Sequence, residues 1–407
     1  MRKYIAKLLL FNRKKDLCEL ENDYFYNKDF KKISSLQLYR FNCIWKKAYE
    51  YIPFYSDWKI KYKLPSEINH IDEIDNFPIL TKNIISEYKH IIYQTPNIER
   101  STLTGGTSGI STSFPMNKFD SKSAWLNTTL GRKWNGIYSG DKLLMIWGHS
   151  HLFGNKDIFR KKLKKKLKDF FLNIERVSAY DLNDNKLEEI YLRVLKFKPN
   201  YIIGYGSCLG HFAKFLRKEN LNLRNLGVKK IINTSETIST ADKIIIEESF
   251  NCPIINEYGM AEAGVIGYSV DSLLPIKIFW KDFIIRIPKE RILITTIGER
   301  CFPLINYDSE DIGLENNDNP LIIKSLIGKA RDIFKIKDKN GKYCEVSVVL
   351  FDHIFKQILQ IKSIHYQITK DDFINIYYST FGGPLDKNYL KEFFIKGLSL
   401  ENIFINP

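Results

Sequence analysis

Residues Pro199–Asn220 read PNYIIGYGSCLGHFAKFLRKEN. A short apolar run ends in a Gly-Tyr-Gly turn, and apolar residues then recur at three- and four-residue spacing. That is a strand, a tight turn and a helix in succession. The pattern repeats on either side. DKLLMIWG (Asp141–Gly148), VKKIINTS (Val228–Ser235) and CPIINEYG (Cys252–Gly259) are apolar runs ending in Gly or Ser, and STADKIIIEESF (Ser239–Phe250) is helical between the last two. Strand and helix in alternation predict βαβ units and a parallel sheet, an α/β fold. Ligands of such sheets sit outside the carboxyl ends of the strands. The segments YGS, NTSE and NEYGMAE fall there.

Outward from this core the texture changes. Residues 28–66 are helical by periodicity, with the first helix ending at Pro53. In FPILTKNIISEY, Thr81 is placed to cap a short helix. Residues 275–313 carry IKIFWKDFIIRI and ERILITTI, which predict β-meander strands and so a small β-barrel-like part or an accessory sheet. Asn340-Gly341 predicts a hairpin. From about residue 345 helix and strand alternate, as in a small α+β domain. No internal repeat is evident. The division is a large N-terminal domain, 1–330, and a small C-terminal one, 331–407.

The chain has 407 residues, 44% of them hydrophobic and 27% charged, which is ordinary for a folded soluble protein. Its formal net charge is +15. A basic excess admits nucleic acid, anionic membrane or anionic substrates. The abundance of Lys, Ile and Asn also reads as plain compositional bias. No nucleic-acid-binding module is recognisable, so nucleic acid is not an expected partner. The six cysteines have neither metal-motif nor disulfide-framework spacing. With no signal peptide and no apolar run long enough to span a bilayer, a cytoplasmic location is expected.

STLTGGTSGISTSFP (Ser101–Pro115) is rich in glycine and hydroxyl residues and free of charge. Backbone N–H groups and hydroxyls in such a loop suit phosphate. It is not a P-loop, because Ile110 rather than Lys follows Gly109. Gly105, Gly106 and Gly109 also miss the dinucleotide-fingerprint spacing. On its own the loop could be a turn without a ligand.

Four stretches in order resemble the adenylate-forming enzymes. The glycine loop is similar to Thr-Ser-Gly-Thr-Thr-Gly-x-Pro-Thr, with Thr104, Gly106, Thr107, Gly109 and Thr112 matching, Ser108 conservatively replaced, and Gly105 and Ser111 departing. NEYGMAE (Asn256–Glu262) resembles Tyr-Gly-x-Thr-Glu. INYDSEDIG (Ile305–Gly313) resembles Tyr-x-Thr-Gly-Asp. GKARDIFK (Gly328–Lys335) resembles the Gly-Arg-x-Asp/Lys-Asp-x-Ile-Lys hinge. YIPFYSDW, FPILTK, KPNYIIGYGSCL and IHYQIT are similar to the phenylacetate-CoA ligase and CapK-like capsule-biosynthesis branch. The resemblance spans nearly the whole chain.

It implies a carboxylate-activating ligase using ATP and Mg²⁺, with a small carboxylic acid as substrate and a thiol, CoA or a carrier, or an amine as acceptor. A role in surface polysaccharide synthesis is implied with it. Thr104, Gly106, Thr107, Ser108 and Gly109 would cradle phosphates. Tyr258 would stack on adenine, with Asn256 and Gly259 framing the ring. Glu262 would hold Mg²⁺, a hard oxygen ligand for a hard ion. Ala261 stands where the wider family has Thr, a lost hydrogen bond of about 1 kcal/mol. Asp311 would accept the ribose hydroxyls. Ser235 and Glu236 match a nucleotide-side loop. Lys329 stands where an Arg contacts ribose and phosphate, keeping charge but not the bidentate fork. Arg331 and Asp332 mark the hinge of a mobile C-terminal domain. Trp147, His149 and Tyr205 follow strand-like runs and are placed to line the acyl pocket.

Two features depart from the family. The segment where some relatives carry a structural zinc, GYSVDSLLPIKIF, has no Cys or His, so no zinc is expected. The chain stops at LSLENIFINP, lacking the usual terminal Gly-Lys whose Lys reaches the α-phosphate. That departure keeps a second reading open: a nucleotide-binding pseudoenzyme serving as a membrane-associated assembly factor. DIFRKKLKKKLKDFFLNI (Asp157–Ile174) is the densest charge run, with Phe159, Leu163, Leu167, Phe170, Phe171 and Ile174 on one helical face. It predicts either peripheral docking to the anionic inner face of the membrane or a helix packed on the body with a solvated basic face.

Overall fold

A computed structural model of the chain describes residues 14–103, 112–147, 166–178, 184–329, 333–337, 343–347, 361–368, 374–380 and 403–406. The N-terminal helices come first: α1 (Lys14–Tyr26), α2 (Phe30–Tyr51) and α3 (Pro53–Lys61). Asp29 caps α2 by accepting from the Lys31 N–H at 2.9 Å. The α2 core face is Ile33, Gln37, Phe41, Trp45 and Ala48, at three- and four-residue spacing. Ile52 is extended, as a residue before proline must be, and Pro53 then opens α3 as its first residue. Thr81 caps α4 (Lys82–Glu87) as its sequence predicted, accepting from Ile84 N at 3.3 Å.

A hairpin of β1 (Arg100–Leu103) and β2 (Ser113–Met116) leads into α5 (Lys118–Trp134). The parallel core follows: β3 (Leu143–Trp147), β4 (Ile174–Ser178), α6 (Asp184–Phe197), β5 (Tyr201–Tyr205), α7 (Gly206–Lys218), β6 (Lys230–Thr234), α8 (Thr240–Phe250) and β7 (Ile254–Met260). Strands β4, β3, β5, β6 and β7 pair in that order, all parallel. The central strands β3 (LLMIW) and β5 (YIIGY) are apolar because both faces are covered, whereas the edge strand β4 carries Glu175 and Arg176. Leu144, Ile146, Ile202, Ile231 and Ile254 pack with Phe212 of α7 and Ile246 of α8. Leu143, Ile203, Ile232 and Ile255 point the other way and share a core with Leu130 of α5.

At β7 the direction changes. It pairs antiparallel with β8 (Gly264–Ser269), followed in chain order by β9 (Ile276–Ile278), β10 (Phe283–Arg286), β11 (Arg291–Thr296), β12 (Tyr307–Glu315) and β13 (Ile322–Lys329). The meander predicted for 275–313 is present. It does not stand apart from the parallel strands. Through β8–β9 and β9–β13 it continues their ladder, making one 11-stranded sheet.

Beyond residue 330 the described strands form two further sheets. β14 (Ile333–Lys337) and β15 (Tyr343–Ser347) are antiparallel, and the predicted turn at Asn340-Gly341 lies outside the described residues. β16 (Ile361–Ile368), β17 (Ile374–Thr380) and β18 (Ile403–Asn406) form the other sheet. Of the basic stretch, 157–165 lies outside the described residues, 166–171 is helical, and the helix does not reach Ile174. Asn173, at φ 57°, ends it, and Ile174 opens β4.

Candidate nucleotide site

The carboxyl ends of the parallel strands carry Trp147, Tyr205, Thr234 and the β7–β8 turn. The described residues of the sequence expectation lie here or on the adjoining β12 and β13. Tyr258 is buried, and its hydroxyl donates to Asp311 Oδ2 at 3.0 Å. Burial pushes the Tyr258 hydroxyl well above its ordinary pKa, and the Asp311 carboxylate adds to the effect. The phenol therefore stays protonated and a donor. Two residues fifty-three positions apart, in separate motifs, are thus locked together.

Glu262 lies in the turn between β7 and β8 and is 7% exposed. Its Oε1 accepts from the Tyr307 hydroxyl at 2.7 Å. Burial, then Glu262 itself, raise the Tyr307 pKa, so this phenol is also a fixed donor. Arg300 is enclosed behind the turn. Its guanidinium donates to the Glu262 carbonyl at 3.0 Å and to the Ala263 carbonyl. Burial lowers the Arg300 pKa, opposed most by Asp120, whose carboxylate is 4.0 Å away. Tyr307 thus orients the Glu262 side chain, and Arg300 holds its backbone.

The glycine stretch 104–111, with Thr104, Gly106, Thr107, Ser108 and Gly109, lies outside the described residues. Its two ends are fixed, because Leu103 and Ser113 are register partners in the β1–β2 hairpin. Phe114, just past the loop, packs edge-on to Tyr307 with ring centroids 6.2 Å apart. The loop therefore springs from beside the Glu262–Tyr307 pair.

Lys329 ends β13 directly opposite Asp311 in the β12–β13 register. His149, Arg331 and Asp332 lie outside the described residues. Trp147 and Tyr205 end adjacent-tier strands at the same sheet edge, Tyr205 half-buried. Glu236 is exposed, and its Oε2 accepts from the Ser207 N–H at the start of α7, 2.7 Å away, where a carboxylate complements the helix dipole. Ser235 is exposed in the left-handed region at φ 66°.

Asn256 and Gly259 have structural work that sequence reasoning did not see. The Asn256 amide accepts from Asn233 at 2.7 Å and donates to the Leu273 carbonyl at 2.6 Å, tying β7 to its neighbours. A Cβ on Gly259 would lie 2.6 Å from the Gly264 carbonyl, so only glycine allows the β7–β8 approach. Glu310 stands at the Gly of the Tyr-x-Thr-Gly-Asp pattern and keeps a glycine-like φ of 62°. It is paired with Lys82 at 3.1 Å. Sequence reasoning assigned no role to Tyr307, Arg300 or Lys82. Tyr307 carried a signal, since it begins the quoted pattern. Arg300 carried none.

Among the described residues no group of three or more His, Cys, Asp or Glu could hold a metal. A protein-only cage is thus not built there. The donor set fits Mg²⁺ all the same, since this ion is commonly held by one or two carboxylates together with substrate phosphates. Glu262 is buried, with Oε1 committed to Tyr307 and the other oxygen available to a cation.

The chain is 25% identical over 303 residues to Protein CapK of Staphylococcus aureus, an alignment covering 70% of this chain and 65% of CapK. It therefore spans about two thirds of that relative's length. The chain is a CapK homologue with the adenylate-forming ligase fold. A crystal structure of 2-hydroxyisobutyryl-CoA ligase in the postadenylation state, in complex with 2-HIB-AMP, superposes with a TM-score of 0.73 at 18% identity, over 93% of this chain and 86% of that one. O-succinylbenzoate coenzyme A synthetase from Bacillus subtilis, in complex with ATP and magnesium ion, gives 0.52 at 12% identity, over 75% and 65%. No protein-family model matches the chain. The fold class and the resemblance read from sequence both stand.

Proposed function

We propose that the chain activates a small carboxylic acid with ATP and passes the acyl group to a thiol or an amine. A carboxylate oxygen attacks the α-phosphorus, and pyrophosphate leaves, giving an acyl-adenylate. The acceptor then attacks the acyl carbon, AMP leaves, and the acceptor's proton goes to solvent. The observation that carries this reading is the paired arrangement of Tyr258 with Asp311 and Glu262 with Tyr307 at the base of the glycine hairpin. The relatives support it: one fold neighbour holds an acyl-AMP and another holds ATP and magnesium ion.

Each described residue has a task. Asp311 accepts from the ribose hydroxyls, its orientation fixed by the Tyr258 hydroxyl. Tyr258 bounds the adenine site. Glu262, aimed by Tyr307, would hold Mg²⁺, which when bound neutralises developing phosphate charge. The glycine hairpin supplies N–H groups and hydroxyls to the phosphates. Lys329, opposite Asp311, adds a cation at the ribose and phosphate edge. A CoA or carrier thiol is the acceptor best supported by the fold neighbours, one of which is described with 2-HIB-AMP and CoA. The likeness to CapK supports placing the reaction in surface polysaccharide synthesis.

Calorimetric titration with AMP tests the nucleotide assignment. Asp311→Ala removes charge-assisted hydrogen bonds of about 1.5–3 kcal/mol, a loss of roughly 10- to 150-fold in affinity. Unchanged AMP affinity in that variant would refute the assignment.

A further inference from the structure

The amino ends of the parallel strands form the edge opposite the nucleotide site. Leu143, Ile174, Tyr201 and Lys230 are register partners there, in β3, β4, β5 and β6. The loops that feed these strands are knitted together. Asn200 N donates to the Lys142 carbonyl at 2.8 Å, and Lys229 N donates to the Asn200 carbonyl at 2.7 Å. The Asn173 amide donates to the Gly140 carbonyl at 2.7 Å, so the end of the 166–171 helix belongs to the same edge.

This edge is basic and carries apolar side chains in solvent. Lys166, Lys168, Lys198 and Lys229 are exposed, and none lies within ion-pair distance of a carboxylate among the described residues. The nearby acids are already engaged: Asp169 pairs with Arg176 at 2.7 Å and Asp271 with Lys230. Between the lysines, Leu167 is 57% exposed and Phe170 49%. These are residues of the predicted apolar stripe. The third stripe residue of this segment, Phe171, is half-buried and meets the Phe170 ring edge-on at 5.6 Å, so the exposed part of the stripe is Leu167 and Phe170.

From this we infer that the amino-end edge is a docking surface for an anionic lipid bilayer. Leu167 and Phe170 enter the headgroup region while the four lysines meet lipid phosphates. Charge complementarity and side-chain exposure argue for this occupant, and a bilayer matches a broad edge better than a cleft. The nucleotide site would then face away from the membrane, a five-residue strand or roughly 15 Å deeper. Substrate entry is thereby left open in the docked protein. This inference does not depend on the ligase reading.

The test is co-sedimentation of the full chain with vesicles of phosphatidylcholine alone or mixed with phosphatidylglycerol, at low and high salt. Wild type should bind only the mixed vesicles and should release as salt screens the contact. Lys166→Glu, Lys168→Glu, Lys198→Glu and Lys229→Glu together should lower affinity by at least about five-fold per lysine. A charge-matched control reverses Lys46, Lys61, Lys63 and Lys324, all exposed on other elements. It should keep most of the binding. Leu167→Ser with Phe170→Ser should weaken binding without changing net charge. Thermal unfolding of each variant confirms that it is folded. Absence of wild-type binding at low salt overturns the inference, as does equal loss in the two charge-reversed variants, which would mean attraction by net charge alone. Unchanged binding after the Leu167 and Phe170 changes overturns the insertion.

Discussion

Arg300→Met is the substitution whose cost follows most directly from the structure. Arg300 is enclosed in the interior and donates to the carbonyls of Glu262 and Ala263. Met fills most of its volume but donates nothing. Two carbonyls lose a charged donor, and the Asp120 carboxylate, 3% exposed, loses the cation 4.0 Å away. Breaking a buried pair from one side typically costs about 3–5 kcal/mol. The lower end applies, because Asp120 Oδ2 keeps two backbone donors, Asn117 N at 2.8 Å and Cys301 N at 3.1 Å. A loss of about 3 kcal/mol is a large share of the stability of an ordinary domain. Urea unfolding followed by tryptophan fluorescence measures it. Arg300→Lys should recover part of the loss, since it keeps the charge without the fork. The turn carrying Glu262 would also loosen, so magnesium-dependent ATP binding should fall more than AMP binding without metal. A destabilisation below about 1 kcal/mol with both affinities intact would refute the claim that Arg300 pins this turn.

Three further outcomes are expected. Tyr307→Phe removes only the hydroxyl on buried Glu262, so it should cost about 1.5–3 kcal/mol in urea unfolding and weaken magnesium-dependent ATP binding. Gly131→Ala would place a Cβ 2.0 Å from the ring of buried Tyr268, and an overpacking cost of about 1–3 kcal/mol should appear as a lowered melting temperature. Burial pushes the thiols of Cys252 and Cys301 up to about 12 and that of Cys208 to about 11. The unfolded chain loses these protons near the ordinary thiol value of about 8.5, so it binds fewer protons than the native state above that pH. Their contribution is complete below the ordinary value and is lost as pH rises toward 12, which urea titrations at increasing pH will show. In native protein, alkylation followed by mass spectrometry should find Cys18 and Cys43 modified well before those three.

The parallel core was legible because strand burial on both faces leaves an unbroken apolar run, and the turn after each run must be small or polar. VKKIINTS and CPIINEYG became β6 and β7 with little ambiguity. The join between the two halves of the sheet was not legible. It depends on β9 pairing with both β8 and β13, contacts distant in sequence that no local period records. In the site, Tyr258, Glu262 and Asp311 were legible as motif members, but their couplings were not. Tyr258 reaches Asp311, and Tyr307 reaches Glu262, only because the β7–β8 turn comes to lie beside β12. Arg300 sits in a polar turn that reads as solvated surface, and only the fold encloses it. The basic stretch misled at its end, where Asn173 could adopt a positive φ and release Ile174 into a strand.

The central claim is that Glu262 and Asp311 serve a carboxylate-adenylating site. The measurement that tests it most directly is pyrophosphate release with ATP, Mg²⁺ and a panel of aryl, aliphatic and amino acids, comparing wild type with Glu262→Ala and Asp311→Ala. The account predicts release that depends on a particular acid and disappears in both variants. Release from wild type that persists undiminished in both variants, or ATP binding without release for any acid, would contradict it.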